Sequence, residues 1–336
     1  MDPVTQGVLG ASLPQAVARN KKQLGIAGFL GVLGGMAPDL DVLIRSNNDP
    51  LLFLEYHRQF SHSLFFIPFG GLMVGLLLYY LLGKRLGLTL LASCVYTTLG
   101  YATHALLDAC TSYGTLLLWP FSSERFAWNT ISVIDPLYTL PLLVGVLMAG
   151  IKKQARFAQI ALVWALLYPL VGSIQRDRAI TAGWELAMSR GHQPIRLEAK
   201  PSFGNIVLWK TIYETDQYYY VDAVHVAAQV KHFTGERAKK LNIAKDFSWL
   251  DLDSQQARDI ERFRWFSNDY IALDPSNSQR IIDVRYSLIP NELAPLWGIQ
   301  LSSAADADSG SHVLYTTARQ LSDRQREAFV RQLLGR

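Results

Sequence analysis

The chain has 336 residues, half of them hydrophobic and 18% charged, with a formal net charge of +4. That apolar content excludes a disordered chain, two cysteines exclude a disulfide-stapled secreted fold, and the thinly spread positive charge leaves no nucleic-acid footprint. The charge is unevenly divided: 19 charged residues fall within 1–175 and the other 41 within 176–336. A membrane half followed by an ordinary soluble half is predicted.

In chain order, residues 3–18 form a short apolar stretch that reads as a crossing, a re-entrant helix or an interfacial one. It has no basic leader and no small-residue cleavage site, so a polytopic protein without a removed signal is expected. A bilayer takes about 20 apolar residues, and five segments read as crossings: 24–44, 63–83, 86–107, 133–151 and 157–175. The expected architecture is an α-helical polytopic membrane domain of five to six membrane helices over 1–175, then an α+β soluble domain over 176–336. Gly31 and Gly35, and again Gly71 and Gly75, are four apart, a spacing that lets membrane helices approach closely. Cys94 and Cys110 read as packing residues.

Short loops set the orientation. One side receives Arg19, Lys21, Lys22, Lys84, Arg85, Lys152, Lys153 and Arg156 and no acid, and is read as cytoplasmic. The other receives Arg45, Arg58, Arg125 and the chain after 175, placing the soluble domain outside an inner membrane. Asp39, Asp41, Asp49, Glu55, Asp108, Glu124 and Asp135 fall on that outer side, as do His57, His62 and His104. Asp49, Glu55 and Glu124 read as loop surface. The histidines, and the acids set within helix ends, call for a reason, because ionisable groups near bilayer depth cost about 2.5–3.5 kcal/mol each.

Four motifs meet on that face. Pro38-Asp39-Leu40-Asp41 closes a span, and the turn after Pro38 is expected to open and aim both carboxylates inward. His57-Arg58 through Ser61-His62-Ser63 opens the next crossing. His104 and Asp108, four apart on one helix face, can grip one ion. Asp135, before Pro136, starts the following span. Imidazoles with carboxylates suit zinc, manganese or iron, and Asp39, Asp41, His57, His62, His104 and Asp108 exceed the four ligands of one tetrahedral zinc, so one or two ions sharing a carboxylate are expected.

These motifs resemble the YdjM-like inner-membrane metal-dependent hydrolases, a family described as LexA-regulated, which would tie the chain to the SOS response. The resemblance covers 1–175 and extends loosely to Pro201-Ser202-Phe203-Gly204-Asn205 and Trp209. The family opens with a Thr-His pair where this chain has Thr5-Gln6, so either the site has one ligand fewer or a water fills that position, and Gln6 reads as a supporting residue.

A hydrolase is the expected function, acting on a lipid or lipid-linked phosphoester at the outer membrane–water boundary, with membrane lipids around it and no nucleic acid. Asp39 or Asp41 would be ligand or general base. Arg58 would hold an anionic oxygen of the scissile group, because its fork binds two oxygens. Ser61, Ser63 and Asp135 would steady the ligands. The rivals are a metal or proton transporter and a non-enzymatic protein with a structural metal.

In the soluble half, strands are predicted at 194–199, 205–213, 217–228, 269–273, 280–288 and 296–301. Helices are predicted at 175–190, 254–267 and 322–334. Tyr218-Tyr219-Tyr220 reads as strand in preference to a stacking platform. His192, His225, His232 and His312 read as structural or surface residues, and 306–310 (Asp-Ala-Asp-Ser-Gly) as a turn.

Overall fold

The computed structural model describes residues 1–302, 310–318 and 320–336, so the predicted turn at 306–309 lies outside the described residues. The chain divides into two compact units. The first holds Met1–Leu43, Tyr56–Ile174 and Phe203–Asn205; the second holds Ile44–Glu55, Gln175–Ser202 and Ile206–Arg336.

The first half is built from α1 (Pro3–Val17), α2 (Leu24–Met36), α3 (Leu52–Tyr56), α4 (Ile67–Leu78), α5 (Leu90–Cys110), α6 (Pro136–Lys152) and α7 (Arg156–Ser189). Among the described residues three helical stretches are long and apolar enough to cross a membrane: Lys21–Leu43, Leu90–Cys110 and Arg156–Ser189. The pair Leu52–His62 and Ile67–Gly83, bent by 86°, makes a fourth if it is one span. Three or four candidate spans are thus seen among the described residues, where five to six membrane helices are expected. At 1.5 Å per residue α6 and α1 rise only about 25 and 22 Å, short of a ~30 Å hydrocarbon core.

Glycines set the helix crossings. A Cβ added at Gly10 would lie 2.5 Å from the Gly31 carbonyl oxygen, and one at Gly100 would lie 2.8 Å from Gly31 Cα. Thus α1, α2 and α5 meet backbone to backbone around Gly31. Gly71 and Gly75 of α4 face Thr98 and Cys94 of α5 in the same way, at 2.8 and 2.7 Å from Cα. The predicted glycine pairs are the contact points of neighbouring helices. Both cysteines are free thiols.

The second unit carries two antiparallel sheets. The first is ordered β1 (Arg196–Pro201), β2 (Leu208–Glu214), β3 (Tyr218–Val226), β4 (Val230–Phe233), with β5 (Arg237–Lys239) also paired to β3. After the short helix α8 (Ile243–Asp246) and α9 (Gln255–Phe266) comes a meander of β6 (Ile271–Asp274), β7 (Asn277–Asp283), β8 (Trp297–Gln300) and β9 (Leu314–Thr317), then α10 (Asp323–Leu333). Ile212, Tyr219 and Val221 of the first sheet share a core with Ala272 and Ile282 of the second. Helix α9 begins at Ser254, whose hydroxyl accepts from Ala257 N, and buries Ile260, Phe263 and Phe266 as its spacing predicts. Strands β4, β5 and β9 were not visible in the sequence pattern. They are short and mostly exposed, so they carry little apolar alternation.

Segment 44–55 groups with the second unit, and Asp49 and Glu55 are not free loop surface. Arg262 of α9 pairs with Asp49 at 2.8 Å, with Asp259 at 2.9 Å and with Glu55, while His312 lies 2.8 Å from Asp259. This pairing holds the Asp49 carboxyl below its ordinary range against the opposing effect of burial.

Candidate metal centre

After Met36 the α2 backbone tightens into a 3₁₀ turn over Ala37–Leu43 instead of opening. In an α-helix side chains two apart point about 160° away from each other; with three residues per turn they diverge by about 120°. The tighter winding brings Asp39 and Asp41 toward a common side, Asp41 being buried and Asp39 23% exposed. Helix α5 delivers His104 and Asp108 one turn apart. His104 Nδ1 lies 2.6 Å from the Gly35 carbonyl, one turn beyond the Gly31 crossing, so the close helix approach itself aims this imidazole.

The structure brings together Asp39, His62, His104 and Asp108, whose ligand atoms all lie within 4.8 Å of one another. The two Nε2 atoms are 2.8 Å apart. Asp39 Oδ1 is 3.5 Å from His62 Nε2 and 3.4 Å from His104 Nε2; Asp108 Oδ2 is 3.3 and 3.7 Å from the same atoms. Four N/O ligands at 2.0–2.1 Å around a tetrahedral ion stand about 3.3–3.4 Å apart.

The donor set fits a cation for a further reason. Gly35 O can only accept, so His104 Nδ1 carries a proton. Ser61 Oγ donates to Asp41 Oδ2 at 2.8 Å, so His62 Nδ1, 3.2 Å from that oxygen and 3.0 Å from Ser61 Oγ, is also a donor. In the neutral imidazoles both Nε2 lone pairs then face each other across a gap flanked by two carboxylates. Asp108 Oδ2 is buried without a hydrogen bond: Arg58 Nε, 2.9 Å away, lacks the alignment for one. Converging lone pairs and anionic oxygens are the kind of donor set that could hold a metal ion.

Asp39 and Asp41 take different parts. Asp41 accepts from His57 Nδ1 at 2.8 Å, Arg58 N at 3.0 Å and Ser61 Oγ at 2.8 Å. It is the carboxylate behind His62, the arrangement that fixes the tautomer and basicity of a metal-binding histidine. Asp39 belongs to the four-residue group and also to a second, Asp39–Asp41–His57.

Three of the predicted residues have surroundings other than those expected. Arg58 is 5% exposed, with Nη1 donating to Thr111 Oγ1 at 3.1 Å and its guanidinium 4.7 Å from the Tyr113 ring centre. Its guanidinium thus lies buried against Asp108, Thr111 and Tyr113. Its backbone sits at φ 66°, a left-handed conformation costly for any residue with a Cβ, and lets its N–H reach Asp41. Ser63 donates to Trp119 O and accepts from Phe65 N at 3.2 Å, shaping the bend before α4 without touching a ligand. Asp135 falls in neither group: it caps α6 through Leu137 N and Tyr138 N and accepts from Tyr168 Oη at 3.0 Å. An Asp directly before a Pro that opens a helix is an N-cap signature, legible in Asp135-Pro136 itself.

Gln6 keeps a supporting place, donating to Asp108 Oδ1 at 2.8 Å beside the Met1 ammonium. The sequence reading missed Thr111, Tyr113 and Tyr101, whose Oη donates to Ser61 O at 2.7 Å. Thr111, three residues beyond Asp108, was the one with a sequence signal.

A family model, the YdjM inner membrane protein, matches residues 1–179. The chain belongs to that family. Every residue of both ligand groups lies inside the matched stretch. Comparison with curated proteins and with solved structures gave no match. Membership places the protein in the inner membrane. The match ends at residue 179, short of Phe203–Asn205, whose Gly204 N donates to Ser132 Oγ within the first unit at 3.2 Å.

Proposed function

We propose that the chain is a membrane-bound metal-dependent hydrolase acting on a lipid or lipid-linked phosphoester at the outer membrane–water boundary. One observation carries this reading. The side chains of His62, His104 and Asp108 are fully buried, while Asp39 is 23% and His57 19% exposed. Structural metal sites are closed on all sides, whereas catalytic ones keep a side open to water and substrate. Here the open side is the one bearing a carboxylate and an imidazole.

When bound, the ion supplies Lewis acidity, lowering the pKa of water toward about 7 and drawing charge from an ester oxygen. The residues do the rest. His62 and His104 present Nε2, each locked by the partner on its Nδ1, and Asp108 brings its charge under the restraint of Arg58 and Gln6. Asp39, facing the histidines through Oδ1, is placed to take a proton from water at Oδ2. His57, backed by Asp41, is placed to return one to the leaving oxygen. Zinc suits this mixed set best, with manganese or iron as alternatives. Both Asp41 oxygens already accept hydrogen bonds, which favours one ion in the four-residue group; a second would share Asp39.

The wider reading is five crossings, with α6 spanning by local thinning of the bilayer, and the second unit on the exterior side. Metal analysis of protein extracted gently without chelator, with hydrolysis assays on phospholipids and polyprenyl phosphates, tests the activity. Protein free of transition metal would remove the proposal's basis. A reporter fused after Arg336 tests the sidedness, and a cytoplasmic signal would overturn it.

A further inference from the structure

A cavity of about 820 Å³ opens in the second unit, within the range of about 300–1,000 Å³ common to small-molecule sites. A second of about 400 Å³ shares Arg237 and Asp274–Ser276 with it as a common wall. Most charges around the larger chamber are matched. Arg190 holds Asp222 through two bonds of 2.7 and 2.9 Å, and Arg280 lies 3.2 Å from Asp274.

What is left unmatched is chemically distinctive. The Arg237 guanidinium lies 4.9 Å from the Tyr218 ring centre and, among the described residues, has no carboxylate partner. Glu236 accepts from Leu293 N at 2.6 Å and Glu292 from Gln325 Nε2 at 2.9 Å, each through Oε2, leaving both Oε1 atoms for a ligand. The Tyr220 ring forms part of the lining and is held in place, stacked on Tyr213 at 4.8 Å and against His192 at 4.5 Å.

We propose that this double chamber binds an acidic oligosaccharide. A flat, preorganised tyrosine ring suits the C–H face of a pyranose. Carboxylate oxygens accept the hydroxyl protons that a sugar supplies in pairs. An unpaired guanidinium at the junction of the chambers takes a carboxylate or phosphate through two oxygens, and the smaller chamber, with Lys239 on its wall, receives the next sugar. A polyanion without hydroxyls fits less well, since Glu236 and Glu292 would repel it. The assignment stands apart from the hydrolase reading, because no residue of the metal centre enters it.

The test is calorimetric titration of the full-length protein in nanodiscs with tetragalacturonate, with maltotetraose and with a tetraglutamate peptide. Tetragalacturonate is expected to bind at least about tenfold more tightly than either comparison ligand, and Arg237→Gln and Tyr220→Ala are each expected to weaken it about tenfold. Arg237 is exposed, so its variant keeps the fold even if Tyr220→Ala does not, and an unchanged melting temperature checks this. Absence of saturable tetragalacturonate binding, or binding untouched by Arg237→Gln, overturns the proposal. Equal affinity for tetraglutamate overturns it in favour of an acidic-peptide site.

Discussion

Both units bury charge, and they do so in opposite ways. In the second unit each deeply buried carboxylate meets an arginine or lysine: Asp283 with Arg285 at 2.7 Å, Asp222 with Arg190, and Glu214 with Arg196 and Lys240. Such pairs are complete without a ligand. In the first unit two imidazoles and two carboxylates turn unprotonated atoms toward one point, where the nearby cationic groups, Arg58 and the Met1 ammonium, lie around Asp108 alone. The lesson is that burial of charge does not by itself mark a functional site; an unfinished electrostatic arrangement does.

The contrast breaks most visibly if pairs are severed in each unit. Asp283→Ala leaves Arg285, 6% exposed, without its anion, and a buried pair broken on one side costs about 3–5 kcal/mol. The variant should melt far below wild type in calorimetry yet retain its metal; unaltered melting would show the pair to be dispensable. Next comes His104→Ala. If a binding free energy of about 10–16 kcal/mol is shared by four ligands, loss of one lowers metal affinity by about 100- to 1,000-fold. Competition against a chromophoric chelator measures this, and full retention of metal would dismiss the four-residue site. Without metal the same variant should be no less stable than wild type, because it removes one of the two opposed Nε2 atoms.

How much of this could be read beforehand follows from what decides each feature. His104 and Asp108 are legible because an apolar run makes every polar residue conspicuous and the four-residue spacing fixes a shared face. The soluble helix 254–267 is legible through its period, and appears as Gln255–Phe266. By contrast, Asp39 and Asp41 differ because the backbone winds as 3₁₀ and Arg58 adopts a positive φ, and neither follows from residue type. Arg58 looked like a substrate ligand because a guanidinium suits anions in general; only the fold shows that the anion is Asp108. The clasp of Arg262 on Asp49 spans 213 residues, a distance over which no local pattern reports.

Asp41→Asn sharpens the comparison on a smaller scale. The change keeps the shape but weakens acceptance from His62 Nδ1, and loss of such a supporting carboxylate lowers metal affinity about 10–100-fold. Ser63→Ala, next to His62 in sequence but bonded to Trp119 O, should leave affinity unchanged. Equal effects of the two substitutions would deny Asp41 its special place.

The gentlest perturbation, a change of pH alone, concerns Lys210, the exception within the second unit. It is 4% exposed, and its ammonium donates to Ser287 Oγ at 2.7 Å and Glu292 O at 2.9 Å, neither of them an anionic atom. Burial pulls its pKa down from 10.5 to about 7, outweighing the more distant charges of Asp283, Glu236 and Glu292. Between about 7 and 10.5 the unfolded chain holds a proton at this position that the folded chain has released. Stability should therefore rise with pH across that window by up to about 1.4 kcal/mol per pH unit, and level off on either side. Denaturant titrations at several pH values, followed by tryptophan fluorescence, measure the slope, and Lys210→Met should remove it. A slope that survives the substitution would mean that the ammonium stays charged in the folded protein, and that even this residue has the charge balance typical of its unit.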